Sequence, residues 1–243
     1  MEWIYLSPHL DDVALSCGGL VWEQTAAGER VTVLTICAGD PPPGRLSEFT
    51  DGFHARWGIS QEAAATRRAE DLRACSRLGA AAHHFSIPDC IYRLDPGDGS
   101  PLYVSEAALF GPLNPVEAGL VVGLQRELSA ALPSTANLVC PLAVGGHVDH
   151  RLVRAVVEGL GRPLWYYADT PYVLRAGEAL EGAISGMRAT VFPVSERGLE
   201  AWIEAIALHT SQISTFWPDL HSMRAEISAY SRQVGGVRLW QDL

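Results

Sequence analysis

The chain opens Met1-Glu2-Trp3-Ile4-Tyr5-Leu6-Ser7-Pro8-His9-Leu10-Asp11-Asp12, and this stretch sets the reading of everything after it. Trp3 to Leu6 is a short aromatic and β-branched run of the kind that forms a strand. It passes through a polar turn at Pro8 into a helical stretch that reaches about Gly28. The same order recurs along the chain. Further strands are expected at Val31 to Ile36, His83 to Ile87, Leu138 to Leu142, Leu164 to Ala168 and Thr190 to Phe192, with longer amphipathic stretches between them. Such alternation predicts an α/β fold built on a largely parallel sheet.

The amphipathic stretches carry helix signals of their own. Ser60 to Leu78 is expected as a helix, with Ser60 as its cap, Gln61 and Glu62 in the first turn and Gly79 at its end. Asn114-Pro115 begins another helix, which Pro133 stops. In Val148 to Leu160, Leu152, Val153, Val156, Val157 and Leu160 share one face and Arg151, Arg154 and Glu158 the other. The helix after Ser195 buries Leu199, Trp202, Ile203, Ile206 and Ala207 in the same way. Two segments break the alternation: 39–58, with Pro41-Pro42-Pro43 and several aromatics, and 93–112, with Pro96-Gly97-Asp98-Gly99. Both read as long surface loops, either lids over a site or plain insertions. Phe49, Phe53, Trp57, Tyr92 and Tyr103 on them would stack on a ligand ring or pin the loops to the core. No linker or repeat divides the chain, so 1–243 is expected to be a single domain.

Composition narrows the chemistry. With 243 residues, 48% hydrophobic and 19% charged, the chain can bury a core of its own, and it holds no apolar run of the roughly 20 residues a membrane span needs. A net charge of -10 repels phosphate backbones and anionic membranes, so neither nucleic acid nor membrane is expected as a partner. All 18 basic residues are arginine. The absence of lysine excludes a pyridoxal aldimine, a lysine Schiff base, a Ser-Lys dyad and the lysine of a phosphate-binding loop. G-x-S-x-G, H-E-x-x-H and G-x-G-x-x-G are also missing, and the Gly18-Gly19 pair is no dinucleotide fingerprint. The five cysteines, Cys17, Cys37, Cys75, Cys90 and Cys140, contain no C-x-x-C and read as reduced, packed thiols. The first residues lack a basic segment or a cleavable apolar one, and the expected location is cytoplasmic.

Two polar clusters stand at strand-to-helix junctions, where open α/β sheets bind ligands. The first is Ser7-Pro8-His9-Leu10-Asp11-Asp12. His9 and Asp12, three apart on a turn entering a helix, can point the same way and share a metal ion, while Asp11 points elsewhere. The alternative is that the two carboxylates only complement the positive end of a helix. The second cluster is Gly145-Gly146-His147-Val148-Asp149-His150-Arg151, again with two histidines three apart, behind glycines that let the backbone turn beside a ligand. Together the clusters supply a histidine and carboxylate set that suits Zn²⁺ and leaves a position open for water.

These residues resemble the LmbE-like or PIG-L deacetylases, which remove acetyl groups from N-acetylglucosamine units and related amino sugars. The resemblance rests on P-H-L-D-D at Pro8 to Asp12 and H-V-D-H at His147 to His150. Weaker matches are Arg67-Arg68-Ala69-Glu70 followed by Leu78-Gly79, the Pro88-Asp89 turn, and His209-Thr210-Ser211-Gln212. It implies a Rossmann-like three-layer α/β sandwich with one catalytic zinc, Fe²⁺ or another divalent metal being the alternative. By position, His9, Asp12 and His150 would hold the metal and Asp11 would be the general base. His147 would stabilise or protonate the reacting group, and Asp149 would orient His147. Arg67, Arg68 and Asp89 are candidates for substrate contact. The chain departs from the family at Leu10, where proline is usual, at Cys90, where glycine often follows the aspartate, and at Gly145, where some relatives place a tyrosine.

The implied reaction is attack of metal-activated water on an amide carbonyl, with Asp11 taking the proton and the metal and His147 stabilising the oxyanion. The expected substrate is a small amino-sugar conjugate. A metal-dependent amidase for a non-sugar amide and a ligand-binding domain without turnover are the competing readings. Asp11 argues against the last, since a site that only holds metal has no use for a second carboxylate beside the ligand. Oligomeric state is left open, a homo-oligomer included.

Overall fold

The computed structural model describes residues 1–44, 46–57, 62–175 and 177–243, the last segment from Ala179 for side chains. The first half of the chain forms β1 (Glu2–Ser7), α1 (Asp12–Ala26), β2 (Arg30–Thr35), α2 (Glu48–Trp57), α3 (Ala63–Leu78), β3 (Ala81–His84), α4 (Glu106–Leu109) and α5 (Ala118–Ala131). The second half forms β4 (Asn137–Pro141), α6 (Val148–Glu158), β5 (Leu164–Tyr167), α7 (Gly177–Ala183), β6 (Met187–Phe192), α8 (Glu196–Ala207), α9 (Thr210–Phe216), α10 (Leu220–Val234) and β7 (Val237–Asp242).

Among the described residues the strands make one sheet in the order β3-β2-β1-β4-β5-β7-β6. β1 to β5 are parallel, while β7 runs antiparallel to both β5 and β6. The chain winds outward from β1 to β3 and then crosses back, so β4 lies against the other side of β1. The carboxyl ends of β1 and β4 therefore flank the point where the winding reverses, which is where such sheets open a crevice for ligands.

Alternation along β1 builds the layers. Trp3 and Tyr5 join α1, α3, α8 and α10 in one apolar core, while Ile4 and Leu6 join α5 and α6 in another. The result is a sheet between two helical layers, the Rossmann-like three-layer α/β sandwich. The Gly18-Gly19 pair has a packing cause: a Cβ on Gly18 would lie 2.6 Å from Trp202 of α8. Trp202 in turn donates its indole N–H to the Ala14 carbonyl at 2.8 Å. Among the described residues no helix is long and apolar enough to cross a membrane.

Several expectations are corrected. Segment 39–58 is not a plain loop, because Phe49, Phe53 and Trp57 stand at helical spacing and α2 forms on them. These aromatics pack on a third, smaller apolar cluster that includes Ile91, Tyr92, Tyr103 and Leu109. Segment 93–112 contributes to the same cluster and carries α4, so it is anchored rather than free. The third strand lies two residues earlier than expected, and β7 was not expected. The cap expected at Ser60 and the first-turn Gln61 lie outside the described residues, and α3 begins at Ala63.

Candidate metal centre and active-site cleft

The first cluster is shaped by its own turn. Ser7 Oγ donates to the His9 carbonyl at 2.6 Å, and the His9 N–H donates to Asp12 Oδ2 at 2.7 Å, which folds the Asp12 carboxylate back over the turn. Asp11 occupies the cap position of α1 without a side-chain cap bond, and Asp12 stands in the first turn, so both carboxylates lie at the positive end of the helix. The α6 start brings the second cluster across from β4.

Asp12 Oδ2 lies 3.2 Å from His9 Nδ1 and 3.4 Å from His150 Nε2. Those spacings match the edges of a tetrahedron of ligands about 2.0–2.2 Å from a central ion, which are roughly 3.4 Å. The opposite ring nitrogens are held by carboxylates: His9 Nε2 is 2.9 Å from Asp149 Oδ2, and His150 Nδ1 is 2.6 Å from Asp169 Oδ1. A carboxylate behind each imidazole is the support that fixes tautomer and ring direction in metal-ligating histidines. The Asp12 carboxylate, hydrogen-bonded into the turn, lies between the two imidazoles, and His9, His147 and His150 bring ring nitrogens within 4.8 Å of one another, a histidine and carboxylate donor set of the kind that suits a divalent cation.

The electrostatics agree. Burial opposes charge on His9, yet Asp89 and Asp12 hold its pKa well above the usual histidine range. His150 is likewise raised against burial by Asp12 and Asp169. The carboxylates that favour charge on these rings favour any cation placed among them. Asp12 itself is held below the usual carboxylate range, because His150 and His9 outweigh its burial. Asp11 goes the other way: burial, reinforced by the Asp12 charge and opposed by Arg67, pushes it up to about 6.

His147 is pushed down to about 3 by burial and then by the His9 charge, so it is neutral near pH 7. Its Nδ1 accepts the Asp149 backbone N–H at 3.2 Å, which places the ring proton on Nε2. Asp149 holds the His147 ring through its backbone N–H, while no hydrogen bond joins its carboxylate to that ring. The carboxylate turns instead to Arg93 at 2.5 Å, to the Cys90 N–H at 3.0 Å and to His9. The cause is local geometry: residues two apart at a helix start do not face each other.

Arg67 is buried, with Asp11 at 3.5 Å, Asp89 at 3.6 Å and the Trp57 ring centre 5.0 Å from its guanidinium carbon. Asp89 accepts the Ile91 N–H and lies 3.8 Å from His9 Nε2. Arg68 points elsewhere, donating to the Ala38 carbonyl and Asp40, and the structure does not bring it to the site. His9, Asp11, Asp12, His147, Arg67 and Asp89 line one narrow cleft of about 90 Å³. Pockets that enclose a whole drug-sized ligand run to ~300–1,000 Å³, so this cleft has room for only part of one. Phe53 and Trp57 of α2, Gln212, Thr215 and Phe216 of α9, and Tyr172 complete its walls.

Asp169, Arg93 and Tyr172 are not singled out by the sequence reading. Asp169 did carry a signal, since it follows β5 at the same sheet edge as both clusters. Tyr172 fills the space beside Gly145, where a Cβ would meet its ring at 2.9 Å; Gly145, with φ of +91°, is required there. Glu70 is buried and accepts from Thr210 Oγ1, the Ser211 N–H and Ser211 Oγ at 2.6–2.9 Å, anchoring the start of α9. The two weaker motif matches at Arg67 to Glu70 and His209 to Gln212 thus meet in space. His54 pairs with the Tyr92 hydroxyl and His84 with Asp71, each at 2.7 Å.

Comparison with known proteins bears on this site. The sequence is 31% identical over 201 residues to 2'-N-acetylparomamine deacetylase of Niallia circulans, covering 74% of this chain and 70% of that protein. It is 33% identical over 184 residues to 2'-N-acetylparomamine deacetylase of Streptomyces fradiae, covering 70% of this chain and 57% of that one. In structure it is similar to the zinc-inhibited form of teicoplanin deacetylase Orf2, with a TM-score of 0.84 at 25% identity over 99% of this chain and 97% of that one. Residues 4–160, which contain both clusters, match the family PIG-L, GlcNAc-PI de-N-acetylase, and the chain belongs to that family.

Proposed function

We propose that the protein is a zinc-dependent hydrolase that removes an N-acetyl group from an amino sugar carried on a larger small-molecule conjugate. The observation that carries this reading is the Asp12 carboxylate set between two imidazoles, each backed by a carboxylate, with Asp11 beside it at a pKa of about 6. The deacetylases of N-acetylparomamine and teicoplanin among its relatives support the choice of substrate class.

His9, Asp12 and His150 would hold the ion. A divalent cation there supplies Lewis acidity, making water easier to deprotonate and an amide carbonyl easier to attack. Asp11 takes the proton from the attacking water and returns it to the nitrogen as the C–N bond breaks, which leaves acetate and a free amine. The Nε2–H of neutral His147 donates to the carbonyl oxygen as it gains charge. Arg67, fixed by Asp11 and Asp89, holds the base in place. The acetyl end enters the cleft, and the sugar lies across Phe53, Trp57 and Phe216 at its mouth. Arg68, tied to Asp40, takes no part.

The test is metal content by elemental analysis for the wild type and His150→Ala, with release of free amine from 2'-N-acetylparomamine and from N-acetylglucosamine glycosides on the same samples. About one zinc per chain, lost in the variant together with amine release, is the expected result. Failure to bind Zn²⁺ or Fe²⁺ in stoichiometric amount would overturn the reading.

A further inference from the structure

We propose that Arg93, braced by Glu117, is the positioning residue that aims Asp149 at His9 and thereby sets the affinity of the site for its metal. Arg93 follows the short turn after β3 and is buried. Its NH1 donates to Asp149 Oδ1 at 2.5 Å, and its Nε lies 2.5 Å from Glu117 Oε1 as an ion pair without a hydrogen bond. The Tyr103 hydroxyl donates to the other Glu117 oxygen, and the Tyr103 ring lies 5.4 Å from the Arg93 guanidinium carbon. An unbroken buried line thus runs from Tyr103 through Glu117, Arg93 and Asp149 to His9.

Each link has a physical reason. Asp149 is fully buried, at 0% exposure; a buried carboxylate without a cation is costly, and besides Arg93 it is held by the Cys90 N–H at 3.0 Å. The planar guanidinium donates to Asp149 from one edge while Glu117 balances its charge beside Nε, a geometry that an ammonium does not reproduce. With Oδ1 fixed by Arg93, Oδ2 is left to accept from His9 Nε2, and His9 Nδ1 then faces Asp12. Segment 93–117 thus reaches the metal site from behind through Arg93 and Glu117, while its Leu109 lines the cleft.

The inference rests on His9, Asp12 and His150 holding a metal, and the experiment separates the two. Zn²⁺ affinity is measured by competition with a chromophoric chelator for the wild type, Arg93→Met, Asp149→Asn and the double variant, with thermal melting of the chelated proteins as the folding control. Loss of an outer partner of a metal-ligating histidine typically costs about 10–100-fold in affinity. Each single variant is expected to lose that much, and the double variant no more than Asp149→Asn, because Arg93 acts through Asp149. Wild-type affinity in folded Arg93→Met, or losses that multiply in the double variant, would overturn the proposal. Should Arg93→Met not fold, Glu117→Gln decides: weakened Zn²⁺ binding supports the line and unchanged binding refutes it. A wild type that binds no metal removes the site reading itself, and this inference with it.

Discussion

Asp11 and Asp12 are neighbouring buried carboxylates that their surroundings drive in opposite directions, Asp12 below the usual range and Asp11 up to about 6. Such divergence separates a ligand from a base. A base must be ionised, so activity is expected to fall as pH drops through the Asp11 pKa. A cation at Asp12 favours the charged form and moves that midpoint below 6. Asp11→Asn is expected to keep its metal, lose the acid limb of the pH profile and lower kcat by ~10²–10⁴. Steady-state rates across pH with metal analysis would check this, and an unchanged kcat would remove Asp11 from the proposed reaction. His9, Asp11, Asp12, His147 and His150 were legible in the sequence because each sits in a short cluster at a strand end. Asp169 and Arg93 were not, since each is a lone charged residue whose partner is distant in sequence. Nor could sequence choose between Arg67 and Arg68, which are adjacent on α3 and face different ways.

The pairing of α1 with α8 turns on two glycines. Alanine in place of a helical glycine normally gains about 1 kcal/mol. At Gly18, however, the new methyl would come within 2.6 Å of Trp202, which is fully buried and hydrogen-bonded to Ala14, so it cannot yield. Overpacking of this kind costs typically ~1–3 kcal/mol, and it should outweigh the propensity gain. Gly18→Ala is therefore expected to unfold at lower urea, whereas Gly119→Ala on α5, which meets nothing within 4 Å, should be neutral or stabilising. Equal midpoints for the two would show that the helices can separate to admit the methyl. The same elements show what pattern reading catches. Strands β1 to β6 and helices α1, α3, α5, α6 and α8 have clear periodicity and end signals. β7 was missed because strict alternation of strand and helix leaves no place for an antiparallel strand between β5 and β6. α2 was hidden by the prolines before it and by Gly52 within it, although its aromatics stand four residues apart.

Across the whole molecule, 28 acidic residues meet 18 arginines, and burial of titratable groups decides how stability follows pH. His209, at the start of α9, is 2% exposed, and its Nε2 has no hydrogen-bond partner among the described residues. Burial, and then the charge of Arg67, push its pKa down to about 3, against about 6.5 in an unfolded chain. Between those values the unfolded chain binds the additional proton. The contribution is therefore complete above about pH 6.5 and is lost as pH falls toward 3, at about 1.4 kcal/mol per pH unit. Other buried groups add to the total: Asp12 and Asp149, held low, lose stability in the same direction at more acid pH, while Asp11 and Asp71, raised by burial, act in the opposite sense. Their sum is common to the wild type and His209→Gln, so the difference between the two isolates this histidine. In chelated protein, that difference in unfolding free energy should shift against the wild type by about 1.6 kcal/mol between pH 6.5 and pH 5. Urea titrations at a series of pH values would measure it. A constant difference across that range would mean that His209 takes up its proton in the folded protein as readily as in the unfolded chain, and that the start of α9 opens to water when it does.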